Sequence, residues 1–248
     1  MRILVVGDIH GQHEKLSKAL EEFDKNGHDY IVQLGDLVDS LVRSDEDMLR
    51  TVKIAVEAKQ KYGNRYIQLL GNHDNQYMNF PKFRCSGFRD HLQPSLTYLL
   101  QKHKRCFQVA FQVENYLFTH AGVNRMWFQK HFDKLQFYAD YFGIPFNDFS
   151  KLSEILNAVE ESKDREILHE VGEKRGGLRY DYGGITWCDK DEVMDYEPIH
   201  GLHQVVGHTP QNYVRKAVAF GDGIVIRNTS VTFCDVLNLT EDFYNLNL

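Results

Sequence analysis

Five short segments place Asp, Asn or His where an apolar run ends. They are Gly7-Asp8-Ile9-His10-Gly11, Gly35-Asp36-Leu37-Val38-Asp39, Gly71-Asn72-His73-Asp74, Thr119-His120-Ala121-Gly122 and Gly207-His208-Thr209-Pro210. Together they offer the imidazoles of His10, His120 and His208, the carboxylates of Asp8 and Asp36, and the amide of Asn72. A mixed nitrogen and oxygen set without thiolates suits Mn²⁺, Fe or Zn²⁺ better than a structural zinc site. Asp8 and His10 are separated by one residue just past a strand, so both can meet one ion. Asp36 can bridge two ions with its two oxygens. Two ions about 3.5–4 Å apart can generate a bridging hydroxide and clamp both oxygens of an in-line displacement at phosphorus. His73 follows Asn72 directly, so the two do not serve equally as ligands. An imidazole left beside the metals could protonate a leaving group, with Asp39 to orient it and raise its pKa.

The elements that would position these residues follow from apolar spacing. Residues 2–7 form a continuous apolar run closed by glycine, as in a buried strand. Residues 13–23 carry Leu16, Ala19, Leu20 and Phe23 at helical spacing. A second strand is expected over 30–34. A second helix is expected over 45–62, with Ser44 as N-cap, Asp47 three residues on and Gly63 as stop. A third strand is expected over 66–70. Strand–helix–strand repeats of this kind pair in parallel, and ligands collect at the carboxyl ends of the strands. Downstream, the pattern predicts a helix over 95–102 and strands over 107–113 and 116–119 around a Glu114-Asn115 turn. It predicts helices over 126–142 and 152–171, a Gly- and Arg-rich loop over 172–184, and a strand over 204–206. Strands over 217–220, 224–227 and 231–237, with Gly221-Asp222-Gly223 as a turn, complete the reading. No repeat or linker interrupts it, so one domain over 1–248 is expected, with 125–185 as a helical cap and loop insertion.

The 248 residues are 42% hydrophobic and 26% charged, the balance of a globular protein with a sizeable core. A net charge of −6 argues against a nucleic-acid backbone as partner, which needs clustered Lys and Arg. No apolar run reaches the roughly 18 residues of a membrane span. The strand-like Ile3-Leu4-Val5-Val6 begins without the basic flank of a signal peptide, and Cys85, Cys106, Cys188 and Cys234 show no paired spacing. Reduced thiols and a cytoplasmic location are therefore expected. His13, His28, His200 and His203 lie outside the five motifs and read as structural or surface residues.

The five motifs resemble those of the calcineurin-like metallophosphoesterase family, most closely its phosphoprotein-phosphatase-type branch. That branch includes bacteriophage lambda protein phosphatase and bacterial diadenosine tetraphosphate hydrolases. The resemblance spans roughly residues 5–210. It implies an α/β fold in which two mixed β-sheets form a sandwich flanked by helices, a four-layer αββα arrangement. Carried over by position, it implies Asp8 and His10 on a first metal, Asp36 bridging, and Asn72, His120 and His208 on a second. It implies His73 as acid and Asp39 as its partner. Two divalent ions are implied, Mn²⁺ above all, with Fe or Zn²⁺ as other occupants. The implied reaction is phosphate-ester hydrolysis, of a phosphorylated protein first and a dinucleoside polyphosphate or other small phosphoester second. A non-catalytic interaction scaffold is the contrasting reading, and all eight positions needed for catalysis are filled.

Two departures bear on the substrate. The branch continues its second motif with Arg-Gly, where this chain has Ser40-Leu41, and it carries another phosphate-binding Arg two residues after a Trp, where this chain has Asp189 after Trp187. Arg43, Arg84, Arg89, Arg175 and Arg179 are the candidate replacements, because guanidinium matches phosphate oxygens bidentately. Arg175 and Arg179, in the Gly-rich loop, form the preferred pair.

Overall fold

In a computed structural model of the chain, the three runs preceding the first three motifs pair in parallel. The structure describes residues 1–147, 149–195, 199, 201–210, 215–217, 220–221, 224–225, 231–233, 236–239 and 243–245. It divides into two compact units, one built on Met1–Gln108 and the other on Val109–Gln211 with Arg215–Phe233; Cys234–Leu248 belongs to the first.

In the first unit, β1 (Ile3–Val6), β2 (Tyr30–Gln33) and β3 (Tyr66–Leu69) are apolar, almost wholly buried and in register. Val6, Gln33 and Gln68 share one row across them, so the chain leaves the sheet along a single edge at all three motifs. The crossovers are α1 (His13–Asn26), which buries Leu16, Ala19 and Phe23, and α2 (Asp45–Tyr62), which buries Met48, Val52, Ala55 and Val56. α2 starts where the sequence places it. The Ser44 hydroxyl accepts from Asp47 N at 3.2 Å and the Asp47 carboxylate accepts from Ser44 N at 3.0 Å, a closed capping box. Two further helices, α3 (Asn72–Met78) and α4 (Gln93–Lys102), lead to β4 (Phe107–Gln108), which extends the parallel set beside β3.

The second unit holds a sheet with β5 (Ala110–Val113) antiparallel to β6 (Tyr116–Thr119), and β6 parallel to β7 (His203–Val206). Phe118 faces Val205, and Gly207 N donates to His120 O at 2.8 Å, so the last two motifs also leave along one edge. α5 (Arg125–Phe142), α6 (Leu152–Glu160) and α7 (Lys190–Asp195) accompany this sheet. β8 (Arg215–Ala217), the hairpin of β9 (Phe220–Gly221) and β10 (Ile224–Val225), and β11 (Val231–Phe233) follow. β11 lies parallel to β7 and antiparallel to β8. β12 (Val236–Leu239) and β13 (Phe243–Asn245) return to the first sheet, antiparallel beside β1. Two mixed sheets with helices are thus the α/β class expected. No helix among the described residues is long and apolar enough to cross a membrane.

Several expected elements differ. The run 107–113 is two strands in different sheets. Val109 N and Ala110 N donate to Asn157 Oδ1, and Asn157 Nδ2 donates to Ala110 O, occupying groups a continuous ladder would need. The helix expected over 152–171 stops at Glu160, because the Ser162 hydroxyl binds Val159 O at 2.7 Å and accepts from Asp164 N, competing with the helical ladder. Arg165–His169 continues only as a tight 3₁₀ turn. The run 231–237 is likewise β11 and the start of β12, in different sheets. Helices α3 and α7 are additions to the sequence reading. Residues 222–223 of the expected turn, 218–219, 226–227 and 234–235 of the expected strands, and His200 lie outside the described residues.

Candidate active site

The loops that follow β1, β2 and β3 are zipped together before any side chain is considered. Ile9 N and His10 N both donate to Asp36 O, at 3.0 and 2.9 Å, and Gly11 N donates to Leu37 O at 2.8 Å. The buried Gln33 side chain donates to Gly7 O and Gly35 O and accepts from Gly35 N and the Gln68 amide. Asp74, fully buried, accepts from Leu37 N at 2.9 Å and Gly71 N at 3.2 Å, tying the third loop to the second. Gly71 permits this approach, since a Cβ there would lie 2.1 Å from Asp36 Oδ1 and 2.3 Å from Asp36 N.

Asp8, His10 and Asp36 converge, each offering one donor atom within 4.8 Å of the others. His10 Nε2 lies 3.9 Å from Asp8 Oδ2 and 3.8 Å from Asp36 Oδ2. Its Nδ1 faces the carbonyls of Val38 and Asp39 at 3.0 and 2.7 Å. That contact fixes the proton on Nδ1 and presents the Nε2 lone pair to the carboxylates, the arrangement of a metal-bound imidazole. The residues therefore fit a divalent cation.

His73 sits beside this cluster with a different connection. Its backbone N donates to Asp36 Oδ1 at 2.9 Å, and its Nδ1 bonds Asp39 Oδ2 at 3.0 Å. Asp39 is buried and also accepts from Gln76 Nε2 and, at 2.6 Å, from Tyr77 OH. Burial opposes a charge on the His73 ring, but the Asp36 charge and the bond to Asp39 outweigh it and carry the pKa up to about 11. Bound cations would act against that rise. Cys85 completes the surroundings, with Sγ 3.8 Å from His73 Nδ1 and 3.7 Å from Asn72 Nδ2. Gln76 and Tyr77 escaped the sequence reading; they lie three and four residues after His73, the spacing of one helical face, which recognition of α3 would have exposed.

In the second unit, His120 Nε2 and His208 Nδ1 are 3.1 Å apart. Ligand atoms about 2.1 Å from one cation stand roughly 3.0–3.4 Å from each other, so this pair also fits a shared metal. Buried Gln204 braces the His120 loop, accepting from Val123 N at 2.7 Å and donating to Val123 O. Gly122 has φ +108°, and a Cβ there would come 2.9 Å from Val193 Cγ2. Glu192, buried and raised above the usual carboxylate range by that burial, accepts from Gly183 N at 2.8 Å and secures the Gly-rich loop.

Four candidate site residues hold left-handed backbone: His10 (φ 45°), Asp36 (φ 54°), Asp39 (φ 62°) and His208 (φ 63°). Only two other non-glycine residues among those described do so. Such conformations cost about 1–3 kcal/mol each and collect at functional sites.

The arginines separate clearly. Arg175 forms an ion pair with Asp189, Nε to Oδ2 at 2.8 Å, and donates from Nη2 to Thr209 Oγ1 at 2.5 Å, next to His208. The acid after Trp187 thus holds an arginine from the loop. Arg43 pairs with Glu14 at 3.2 Å, Arg84 pairs with Asp90 and stacks on Phe88, and Arg179 is exposed. Arg89 is a clamp, binding the Asp45 carboxylate and the carbonyls of Ser40 and Arg43. His28 stacks on Phe23 and His203 on Tyr116, while His13 Nε2 lies 3.3 Å from Asp47.

The solved structures similar to this chain at low identity include two phosphoesterases. One is a protein serine/threonine phosphatase from Saccharomyces cerevisiae, described as similar to human phosphatase PP5 (17% identity over 96% of this chain and 72% of that one, TM-score 0.45). The other is a metallophosphoesterase from Sphaerobacter thermophilus (13% identity over 100% and 89%, TM-score 0.46). A profile of the calcineurin-like phosphoesterases matches residues 1–212, which include all five motifs. The chain therefore belongs to the calcineurin-like phosphoesterase family and is a metal-dependent hydrolase of phosphoric esters.

Proposed function

We propose that the protein is a phosphomonoesterase acting on phosphorylated protein, with Asp8, His10, Asp36, Asn72, His120 and His208 holding two ions, Mn²⁺ in its cytoplasmic setting. When bound, the cations lower the pKa of attacking water and neutralise charge on the phosphoryl group. His73 delivers a proton to the departing oxygen, and Asp39 fixes the ring that does so. Arg175 draws in the phosphate: Asp189 and Thr209 engage Nε and Nη2, and the Nη1 edge of the fork meets phosphate oxygens. Arg43 and Arg179 are secondary contacts for the rest of the substrate.

The observation that supports this reading is the buried Asp39, accepting from Tyr77 and Gln76 and facing His73 at 3.0 Å. A leaving-group acid matters most for alkyl monoesters such as phosphoserine, whose alkoxide is a poor leaving group. A scaffold without turnover has no use for it.

The test is a Mn²⁺ assay on a phosphoserine peptide, diadenosine tetraphosphate, an aryl monoester and an aryl diester, with Asp36→Asn as control. Highest kcat/KM on the peptide is expected, with Arg175→Ala raising KM on every substrate. Preference for diadenosine tetraphosphate would move the assignment to nucleotide hydrolysis. Metal binding without turnover on any ester would make the protein a scaffold.

A further inference from the structure

Two residues past Asp39, Leu41 and Val42 stand in solvent, 97% and 89% exposed. Isolated exposed apolar residues are ordinary. This pair is adjacent, almost fully exposed, and carried on a loop whose backbone is held from several sides. Arg89 binds the carbonyls of Ser40 and Arg43 as well as the Asp45 carboxylate. The Ser40 hydroxyl accepts from Val42 N and Arg43 N at 3.3 Å, and the Ser44–Asp47 capping box closes the far end. The Arg43 side chain packs over Gly11 and pairs with Glu14, so the loop lies against the turn that carries His10. A short loop tied this closely does not fold its apolar pair inward.

Resting on the phosphomonoesterase reading, we propose that Leu41 and Val42 form an apolar lip that binds a hydrophobic side chain flanking the phosphorylated residue of a peptide substrate. Their place in the chain sets the side of the substrate they meet. Leu41 lies two residues from Asp39, which bonds the His73 ring at 3.0 Å, and the loop rests on the turn that carries His10, so the lip borders the His73 side of the candidate site, where the proposed acid would meet the leaving group. The chemistry of the pair sets the occupant. Nucleobases are held by stacking on aromatic rings and guanidinium planes, and this segment offers two aliphatic side chains instead.

The experiment compares two phosphoserine peptides, identical except for Leu or Gly beside the phosphoserine, on the Mn²⁺-loaded full chain and on the Leu41→Ser/Val42→Ser variant. Partial burial of a leucine-sized group corresponds to about a tenfold preference in kcat/KM for the Leu peptide. The variant is expected to bring that ratio close to one, and Leu41→Ala alone to lower it partway. Thermal unfolding of each variant verifies the fold. A ratio unchanged by the double substitution overturns the lip, as does a wild type without preference, and either result leaves the phosphomonoesterase reading standing if both peptides are cleaved. Loss by the variant on diadenosine tetraphosphate alone assigns the loop to a nucleotide and also overturns it. No hydrolysis of any phosphoester by the wild type removes both readings.

Discussion

The two units secure their candidate ligands in different ways. In the first, three loops bond one another through backbone groups and the buried Asp74, and the candidate side chains mix the carboxylates of Asp8, Asp36 and Asp39 with His10, Asn72 and His73. In the second, two imidazoles meet at 3.1 Å, and the backbone bonds from Gly207 N to His120 O and from Ala121 N to Ile185 O are joined by separate side chains reaching across: Gln204 to the His120 loop, Arg175 to Thr209 and Glu192 to Gly183. The first arrangement is cooperative, so damage at one loop spreads to the others. The second is modular, so damage should remain local.

Removing the Asp36 charge tests the cooperative side most severely. Asp36→Asn keeps the shape but loses a carboxylate that would help hold the proposed cations. Its kcat should fall at least about a thousandfold, the equivalent of several kcal/mol, and excess Mn²⁺ should not restore it. His120→Asn in the second unit should instead weaken metal binding, with activity recovering in a Mn²⁺ titration.

His73→Asn comes next, with about a hundredfold loss on alkyl monoesters and a smaller one on activated aryl esters. Equal losses on both would remove the acid role. The same residue carries a pH signature in the metal-free protein. Its folded pKa of about 11 lies above the ordinary value of 6.5, so the stability it contributes is complete below pH 6.5 and disappears as pH rises through 11. The difference in melting temperature between wild type and His73→Asn should shrink across that window. Added Zn²⁺ should move the window down.

Glycine substitutions compare the units directly. Gly71→Ala drives a Cβ against both the side chain and the backbone of Asp36, so a stability loss of about 1–3 kcal/mol should come with weakened metal binding. Gly122→Ala meets a flexible Val193 methyl and should lower the melting temperature while keeping more of the metal affinity. Calorimetry of both variants, with and without Mn²⁺, makes the comparison. Tyr77→Phe is the mildest change. It removes one bond to Asp39, about 1 kcal/mol, and should reduce turnover about fivefold with KM nearly unchanged.

The same contrast explains what could be read from the chain. Through Leu69, local rules and the outcome agree almost residue by residue. The apolar runs were long enough to be unambiguous, and Ser44 and Asp47 announce the start of α2 by residue type. The motifs single out Asp39 and His73 as candidates, but not Gln76 and Tyr77, because a seven-residue helix has too little periodicity to be seen. In the second unit the deciding contacts are long-range. Asn157 divides 107–113 from nearly fifty residues away, and nothing within the run announces it. The sequence presents Arg175 and Asp189 separately, and their pairing is a property of the folded loop.

The left-handed backbone at His10 and His208 has a consequence for how this protein would drift under selection. Both conformations suit glycine better than histidine. A library screened only for heat resistance should therefore gather glycine at these two positions, and the hardiest clones should be those that lose the metal affinity proposed for them. If the two histidines hold the proposed metals, selection on turnover would have to work continuously against that pull.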